Sequence, residues 1–433
     1  MIDRRRFLAT CSAMGLGASL FPGTLWTLAQ SSGKVTKEMI DQAAAIADVP
    51  IAPEYRDAML AALNQRVDGY ETIYKLHMAN DVAPALIFDP TLPSMKFTTV
   101  KQAPVLSQAP AITRRGVPKN LEDLCYASVR ELGALMRSRT ISSTALTEMY
   151  LARLKRLDPT LKCVVTLTES RAMAQAKEAD HDLAAGKYRG PLHGLPWGAK
   201  DLLAVKGYPT TWGAGGFEQQ TFDQDATVVQ RLDRAGAVLV AKLTLGALAM
   251  GDHWFGGITR NPWNPEQGSS GSSAGPASAT SAGCVAFSIG SETLGSISAP
   301  STRCGCTGLR PTFGMVPRTG AMALSWTMDK LGPICREVED CALVLDAIYG
   351  PDGHDRTVRD VAFNWNAQLN WRALRIGYFK SDFEHGPQAP TPLMPPAGTP
   401  RDTAAMSDDE RKRLDESKHQ QEAFREHAAY DHR

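Results

Sequence analysis

The sequence carries almost no net charge: 47 lysines and arginines stand against 46 aspartates and glutamates, leaving +1. No global field is there to gather nucleic acid or an anionic membrane surface, so neither partner is expected. Metal-binding spacings are also missing. The nine histidines form no H-E-x-x-H or related pattern, and the close pair Cys304-x-Cys306 lacks the second pair of ligands that a zinc site needs. No metal and no other cofactor is expected. His193 and His253 read as packing or hydrogen-bonding residues. The eight cysteines, Cys11 in a leader-like start and seven beyond it, give no framework for a small disulfide-stapled domain. They read as buried thiols. Internal repeats are absent as well.

What is present describes a globular chain. Its 433 residues, 43% hydrophobic and 21% charged, can bury a large core in one or two domains. Residues 1–29 read as an export signal, with a basic start at Arg4-Arg5-Arg6-Phe7-Leu8, an apolar stretch from Leu8 to Phe21 and a small-residue exit at Thr27-Leu28-Ala29. A membrane anchor is the competing reading. Cys11, Ser12 and several glycines interrupt the apolar stretch, however, and it falls short of the ~20 apolar residues that a span needs. The Arg-Arg-x-Phe-Leu pattern resembles twin-arginine signals, whose passengers cross the membrane folded. The expectation is a periplasmic or exported protein with no stable membrane insertion once the signal is removed.

Residues 30–120 form an N-terminal arm. Glu38–Val49 and Glu54–His77 have helical periodicity, with Met59, Leu60, Leu63 and Val67 on one face, and Asn80 to Asn120 is a Pro-rich surface connector. The main domain is expected over 121–380. Ser128-x-x-Glu131 is a capping box opening one helix, and Thr144–Arg156 is a second helix with Leu146, Met149, Tyr150 and Leu154 facing inward. A strand at Leu161–Leu167 and a helix to about Ala185 follow. Then come a strand at Leu195–Ala199, a helix at Ala226–Ala235 and a strand at Val238–Ala241. This alternation predicts an α/β fold, a large mixed sheet covered by helices on both faces. Residues 381–433 are Pro-rich and then charged, without a clear apolar face, and read as a solvated tail.

The chemistry gathers between Lys200 and Pro300. Gly268 to Pro300 is built from Gly, Ser and Ala, with hydroxyls at Ser272, Ser273 and Ser296. A flexible linker would share that composition, but not the apolar run Cys284-Val285-Ala286-Phe287, which reads as a short buried strand. Pro276 fits the first turn of a helix over Ala277–Gly283. Lys200 ends the run Gly194-Leu195-Pro196-Trp197-Gly198-Ala199. Alone it would be an ordinary solvated strand end. A serine nucleophile needs a base, however, and no histidine is placed by local pattern to serve. A desolvated lysine can do so if burial lowers its pKa from ~10.4 toward 7.

Several motifs in order and spacing carry a resemblance. They are Gly190-Pro-Leu-His-Gly-Leu-Pro-Trp-Gly-Ala-Lys200-Asp201, Asn261-Pro-Trp-Asn-Pro265, Gly271-Ser272-Ser273-Ala274-Gly275, Gly290-Ser-Glu-Thr-Leu-Gly-Ser296-Ile297 and Cys304-Gly-Cys-Thr-Gly-Leu-Arg-Pro-Thr-Phe-Gly314. Together they resemble the amidase signature family over roughly Leu121 to Tyr378. The resemblance implies that Ser296 is the acyl-forming nucleophile, that Ser272 is a bridging serine in a cis peptide, and that Lys200 is the base. It also implies an oxyanion hole from the backbone of Thr293, Leu294, Gly295 and Ser296, with Ser273 as a supporting partner of Lys200. The implied reaction is hydrolysis of a small-molecule carboxamide.

Two alternatives share the resemblance: an amidotransferase A-subunit-like glutamine amidase, and a shortened, inactive amidase-like protein. The nucleophile elbow of α/β hydrolases, Gly271-x-Ser273-x-Gly275, is disfavoured because the elbow follows a strand whereas Asn261–Ser270 is polar and Pro-bearing. A phosphate loop lacks its Gly-Lys-Ser/Thr ending. Three departures from the family stand out. Ser270-Gly271-Ser272-Ser273-Ala274-Gly275-Pro276 replaces a more Gly-rich loop. Glu292, Leu294 and Ser298 stand for the usual Asp, Gly and Arg, which removes an expected ion pair. The family also continues well past the strand read at Leu374–Tyr378, so the resemblance implies a chain cut short. Trp197, Trp212, Trp254 and Phe255 either line an aromatic-leaning pocket or belong to the core. Substrate identity and oligomeric state are not legible.

Overall fold

A computed structural model describes residues 35–108 except 48 and 50, together with 118–378 and 380. The export-signal reading of 1–29 and the tail reading of 381–433 lie outside the described residues. The chain divides into two compact units, one ending at Trp365 and the other beginning at Asn366.

The first unit begins with helices α1 (Lys37–Ala47) and α2 (Arg56–Tyr74). They are joined to each other by ion pairs Lys37–Asp57 at 2.5 Å and Arg56–Asp41 at 3.0 Å. An extended, mostly exposed strap follows to residue 108. The helices of the main body are α3 (Val129–Arg137), α4 (Ser143–Leu161), α5 (Glu169–Ala184), α6 (Thr227–Arg234), α7 (Ala274–Ser281), α8 (Ser298–Cys304) and α9 (Val338–Ile348). Its strands are β1 (Val164–Leu167), β2 (Pro196–Lys200), β3 (Val238–Leu243), β4 (His253–Trp254), β5 (Gly257–Ile258), β6 (Arg260–Asn261), β7 (Asn264–Gly268), β8 (Phe287–Glu292), β9 (Thr307–Gly308) and β10 (Lys330–Cys335).

Six strands make one mixed sheet in the order β1-β3-β2-β8-β10-β9. Central β2 runs parallel to β3 and β8, whereas β1 and β10 run antiparallel to their neighbours. All five residues of β2 are buried, as expected of a parallel strand covered on both sides. Alternate side chains enter two separate apolar clusters. Trp197, Leu239 and Ile289 join residues of α3, α6 and α9 on one side, while Val238, Val240 and Leu243 join residues of α5 and α7 on the other. Helix α4 contributes to both. In register, Trp197 stands opposite Phe287 and their rings stack at 6.1 Å. Trp197 is therefore core rather than pocket lining.

The Ser128 capping box is present as read: the Ser128 N–H donates to Glu131 at 2.9 Å, and the Glu131 N–H donates to Ser128 Oγ at 3.2 Å. Four local readings are corrected. Leu161 closes α4 instead of opening a strand, because Asp158 terminates the helix by accepting the N–H groups of Cys163 and Val164 at 2.8 and 2.9 Å. Cys284–Ala286 is a buried bend, and the strand starts at Phe287. Helix α7 begins at Ala274, so Pro276 is its third residue. Asn264–Gly268, although polar, forms a strand, which pairs with β6.

In the second unit, Leu374–Tyr378 takes no strand conformation, and Leu374, Ile376 and Tyr378 are exposed. Their period-two pattern fits a half-buried sheet surface, which this segment does not have. Among the described residues, no helix is long and apolar enough to cross a membrane.

Candidate active site

Strands β2 and β8 both deliver their carboxyl ends to one place, where open α/β sheets carry their ligands. Lys200, the last residue of β2, has no exposed surface. Its Nζ lies 2.9 Å from Ser272 Oγ, 3.0 Å from Ser273 Oγ and 2.9 Å from Ser291 Oγ, with the Ser291 carbonyl at 3.4 Å. No carboxylate pairs with it among the described residues. Burial pushes the amine well below the ordinary lysine value, and the more distant Asp329 and Glu292 raise it too little to compensate.

The neighbouring acid is occupied elsewhere. Asp201 pairs with Lys242 at 2.6 Å, both side chains fully buried, and accepts the N–H and hydroxyl of Thr211 at 2.8 and 2.5 Å. Lys242 also donates to the Pro209 carbonyl and to Thr210 Oγ1, each at 2.9 Å.

The Gly/Ser/Ala loop fits this site by its smallness. A Cβ on Gly271 would stand 1.8 Å from the Gly251 carbonyl oxygen, and one on Gly290 would stand 2.7 Å from Ser273 Oγ. No real side chain tolerates either approach. The Gly271–Ser272 peptide is cis. Ser273 is held by Ser291 twice: its hydroxyl donates to the Ser291 carbonyl at 3.1 Å and accepts the Ser291 N–H at 3.1 Å.

Ser296 is half-buried in the loop that leaves β8. Its carbonyl accepts the Ser273 N–H at 3.0 Å, which ties the two serine-bearing segments together. Its hydroxyl makes no direct hydrogen bond to Ser272 among the described residues. The same holds for the N–H groups of Thr293, Leu294 and Ser296 and any protein acceptor, whereas the Gly295 N–H is directed toward Glu292. Glu292 organises this loop. It accepts the N–H groups of Ile297 and Ser298 at 2.8 and 2.9 Å and the Ser298 hydroxyl at 3.0 Å. Burial alone would raise its pKa, but those donors outweigh it and hold the carboxyl below the usual range.

Lys200, Ser272, Ser273 and Ser291 thus meet in one cluster, with Ser296 beside it. Ser291 and Lys242 were missed by sequence reasoning. Ser291 was within reach of a register argument, since Ala199 pairs with Ile289 and the next residues of both strands must run side by side. Lys242 sits one residue past the end assigned to its strand. Among the described residues, no group of three or more His, Cys, Asp or Glu side chains is placed to hold a metal ion.

A sequence model of the family described as Amidase matches residues 145–394. The chain belongs to the amidase family. The glutamyl-tRNA(Gln) amidotransferase A-subunit of Methylococcus capsulatus is 40% identical over 265 residues, which is 60% of this chain and 54% of that protein. Its counterpart in Anaeromyxobacter dehalogenans is 42% identical over 239 residues, 54% of this chain and 49% of that one. Among solved structures, the native peptide amidase of Stenotrophomonas maltophilia matches with a TM-score of 0.52 at 37% identity, over 55% of this chain and 50% of that chain. The chain spans about half the length of the curated relatives it matches.

Two departures from the amidase pattern find a physical answer. Glu292 does have a cation: Arg310 approaches it at 3.3 Å, correcting the expectation of a lost ion pair. Leu294, in place of a glycine, keeps a negative φ and is 78% exposed, so its side chain brings neither left-handed strain nor a clash.

Proposed function

We propose that this amidase hydrolyses a carboxamide C–N bond by acyl transfer to Ser296, with Ser272 relaying protons to and from Lys200. One observation carries the reading: an amine with no exposed surface, unpaired with any carboxylate among the described residues and surrounded by serine hydroxyls at 2.9–3.0 Å. A neutral amine has two N–H groups and one lone pair. Ser273 spends its own proton on the Ser291 carbonyl, so it accepts from Lys200. A second N–H goes to Ser291, and the lone pair is left for the Ser272 hydroxyl.

The relay follows from that orientation. Ser272 passes its proton to Lys200 and takes one from Ser296, whose oxygen attacks the amide carbon. The oxyanion is received by the free N–H groups of Thr293, Leu294 and Ser296, each such donor being worth ~3–4 kcal/mol of barrier. Collapse breaks the C–N bond, and the relayed proton returns to the departing amine. Water then attacks the acyl ester by the same path. The separation of Ser296 from Ser272 closes when substrate orders the half-buried Ser296 side chain, since catalytic hydrogen bonds tighten on binding.

A fluorophosphonate probe on the purified protein tests this. Labelling is expected at Ser296 by peptide mass spectrometry, absent in Ser296→Ala and strongly suppressed in Lys200→Ala. A wild-type protein that resists the probe, or a label that survives Ser296→Ala, defeats the reading. The likeness to amidotransferase subunits favours glutamine as a second substrate to assay, with ammonia release as the readout.

A further inference from the structure

Lys330 opens β10 and stands directly opposite Glu292 of β8 in the antiparallel register. A lysine and a glutamate so placed would ordinarily pair with each other. Here the carboxylate is engaged elsewhere, taking the Ile297 and Ser298 N–H groups, the Ser298 hydroxyl and Arg310. Lys330 is half-buried and makes no ion pair among the described residues; its Nζ donates at 3.4 Å to the Thr293 carbonyl. Its predecessor Asp329 accepts the Thr293 hydroxyl at 2.5 Å and is itself fixed by the N–H groups of Leu324 and Ser325 at 2.7 and 2.9 Å. Thr293 is thus gripped at its side chain and at its carbonyl by two consecutive residues.

That carbonyl belongs to the peptide unit whose N–H is Leu294's. The Leu294 N–H has no protein acceptor among the described residues and is one of the donors proposed to receive the oxyanion. A cation on the carbonyl oxygen draws electron density toward it and leaves the N–H more positive, as in any chain of hydrogen bonds that polarise one another away from water. Burial, with Arg310 adding to it, pushes the Lys330 amine below the ordinary lysine value, while Glu292 and Asp329 act against that shift. These three are the charged groups that face it, from the segment after β9, from β8 and from the residue before it.

We infer that Lys330 is a positioning residue of the oxyanion site: its charge, held on the Thr293 carbonyl, strengthens the Leu294 N–H as a donor to a negatively charged oxygen. The oxyanion comes from the hydrolase reading, whereas the polarised peptide does not depend on it. An ordinary structural anchor would hold the loop in place whether or not the side chain carried a charge.

Two measurements test this, and the first needs no reaction. Amide shifts of the 15N-labelled protein are compared in wild type, Lys330→Met and Lys330→Arg in mildly acid solution. The Leu294 amide proton should move upfield in Lys330→Met and return in Lys330→Arg, while those of Ile297 and Ser298, held by Glu292, stay in place. A Leu294 amide that ignores the substitution, or that moves only together with the other two, overturns the inference. The second is the rate of labelling at Ser296 by the fluorophosphonate, whose phosphoryl oxygen gathers charge as the serine attacks. Lys330→Met should lower the rate at saturating probe by about tenfold and leave half-saturation unchanged, a part of the ~10²–10³ that a whole donor supplies in the transition state. Lys330→Arg should restore it. The wild-type advantage over Lys330→Met should fade as pH rises through the Lys330 pKa, whereas that of Lys330→Arg should persist. A loss that arginine does not restore, or that appears as weaker half-saturation, marks a structural contact and defeats the inference. A shifted Leu294 amide in a protein that resists the probe keeps the polarised peptide and removes the hydrolase reading. Labelling at equal rates in all three proteins keeps the hydrolase reading and removes the inference.

Discussion

Lys200 and Lys242 are both fully buried, yet they meet the cost of desolvation in opposite ways. Lys242 keeps company with Asp201, and the pair is buried as a unit. Lys200 is held among hydroxyls, which favours loss of its proton. Between its folded pKa and ~10.4, the unfolded chain holds a proton on Lys200 that the folded chain does not, so stability must rise with pH across that window. Against Lys200→Met, which cannot titrate, the wild type should gain up to about 1.4 kcal/mol per pH unit there and level off above it. Denaturation midpoints of both proteins over a pH series read this, and parallel curves would show a lysine that stays charged. Asp201→Asn strands the buried Lys242 and should cost about 3–5 kcal/mol, largely recovered by adding Lys242→Met. Thermal unfolding of the single and double variants measures it. Lys200, Ser272 and Ser273 stood out in the sequence through the resemblance of their motifs to the amidase signature family, since the need of a serine for a base did not by itself single out this lysine, and the structure brings the three together. Ser291 was not, because a strand serine announces nothing until the neighbouring strand fixes what it faces.

Among the elements, the segment from Glu292 to α8 governs Ser296, the proposed nucleophile. One carboxylate gathers the Ile297 and Ser298 N–H groups and the Ser298 hydroxyl, so the loop carrying Ser296 is bent around it. Glu292→Gln keeps the shape but loses charge-assisted acceptance, and should cost about 1–3 kcal/mol of stability. It should also slow probe labelling at Ser296 without changing saturation by the probe. Because the folded pKa of Glu292 lies below its unfolded value, its contribution is full above the unfolded value and fades as pH falls through the folded one. The wild-type advantage over Glu292→Gln should therefore shrink in acid, as chemical denaturation near neutrality and at low pH would reveal. Most elements were legible from period and caps, as with Ser128 and Glu131 at α3. The misread ends, Leu161 and Cys284–Ala286, are buried apolar residues, and apolar periodicity alone does not separate a helix end or a bend from a strand. At Cys163 and Val164 the deciding partner is local, the Asp158 carboxylate five and six residues back, which a polar side chain supplies and an apolar period does not encode.

At the scale of the whole molecule, the alternation of helices and strands predicted a mixed sheet but not its order, because β2 and β8 become neighbours across nearly ninety residues of intervening chain. The seven cysteines past the leader-like start are all free, and every one but the half-buried Cys306 is buried. Burial pushes the Cys284, Cys304 and Cys306 thiols up to about 12, and Cys163 and Cys335 well above the ordinary value. Thiols in that state are poor nucleophiles. The fold therefore protects them only once it is formed, and we propose that the twin-arginine-like start at Arg4-Arg5 serves passage in the folded state. A chain that crossed unfolded would expose the same thiols to an oxidising compartment. A chain without residues 1–29 should react slowly with Ellman's reagent when folded and yield all seven of its thiols in denaturant. Replacing Arg4 and Arg5 by lysines should hold a reporter-tagged chain in the cytoplasm, as fractionation would show. Rerouting it through an unfolded-passage signal should yield exported protein with fewer than seven free thiols, and a full count by that route would separate the cysteine argument from the export route.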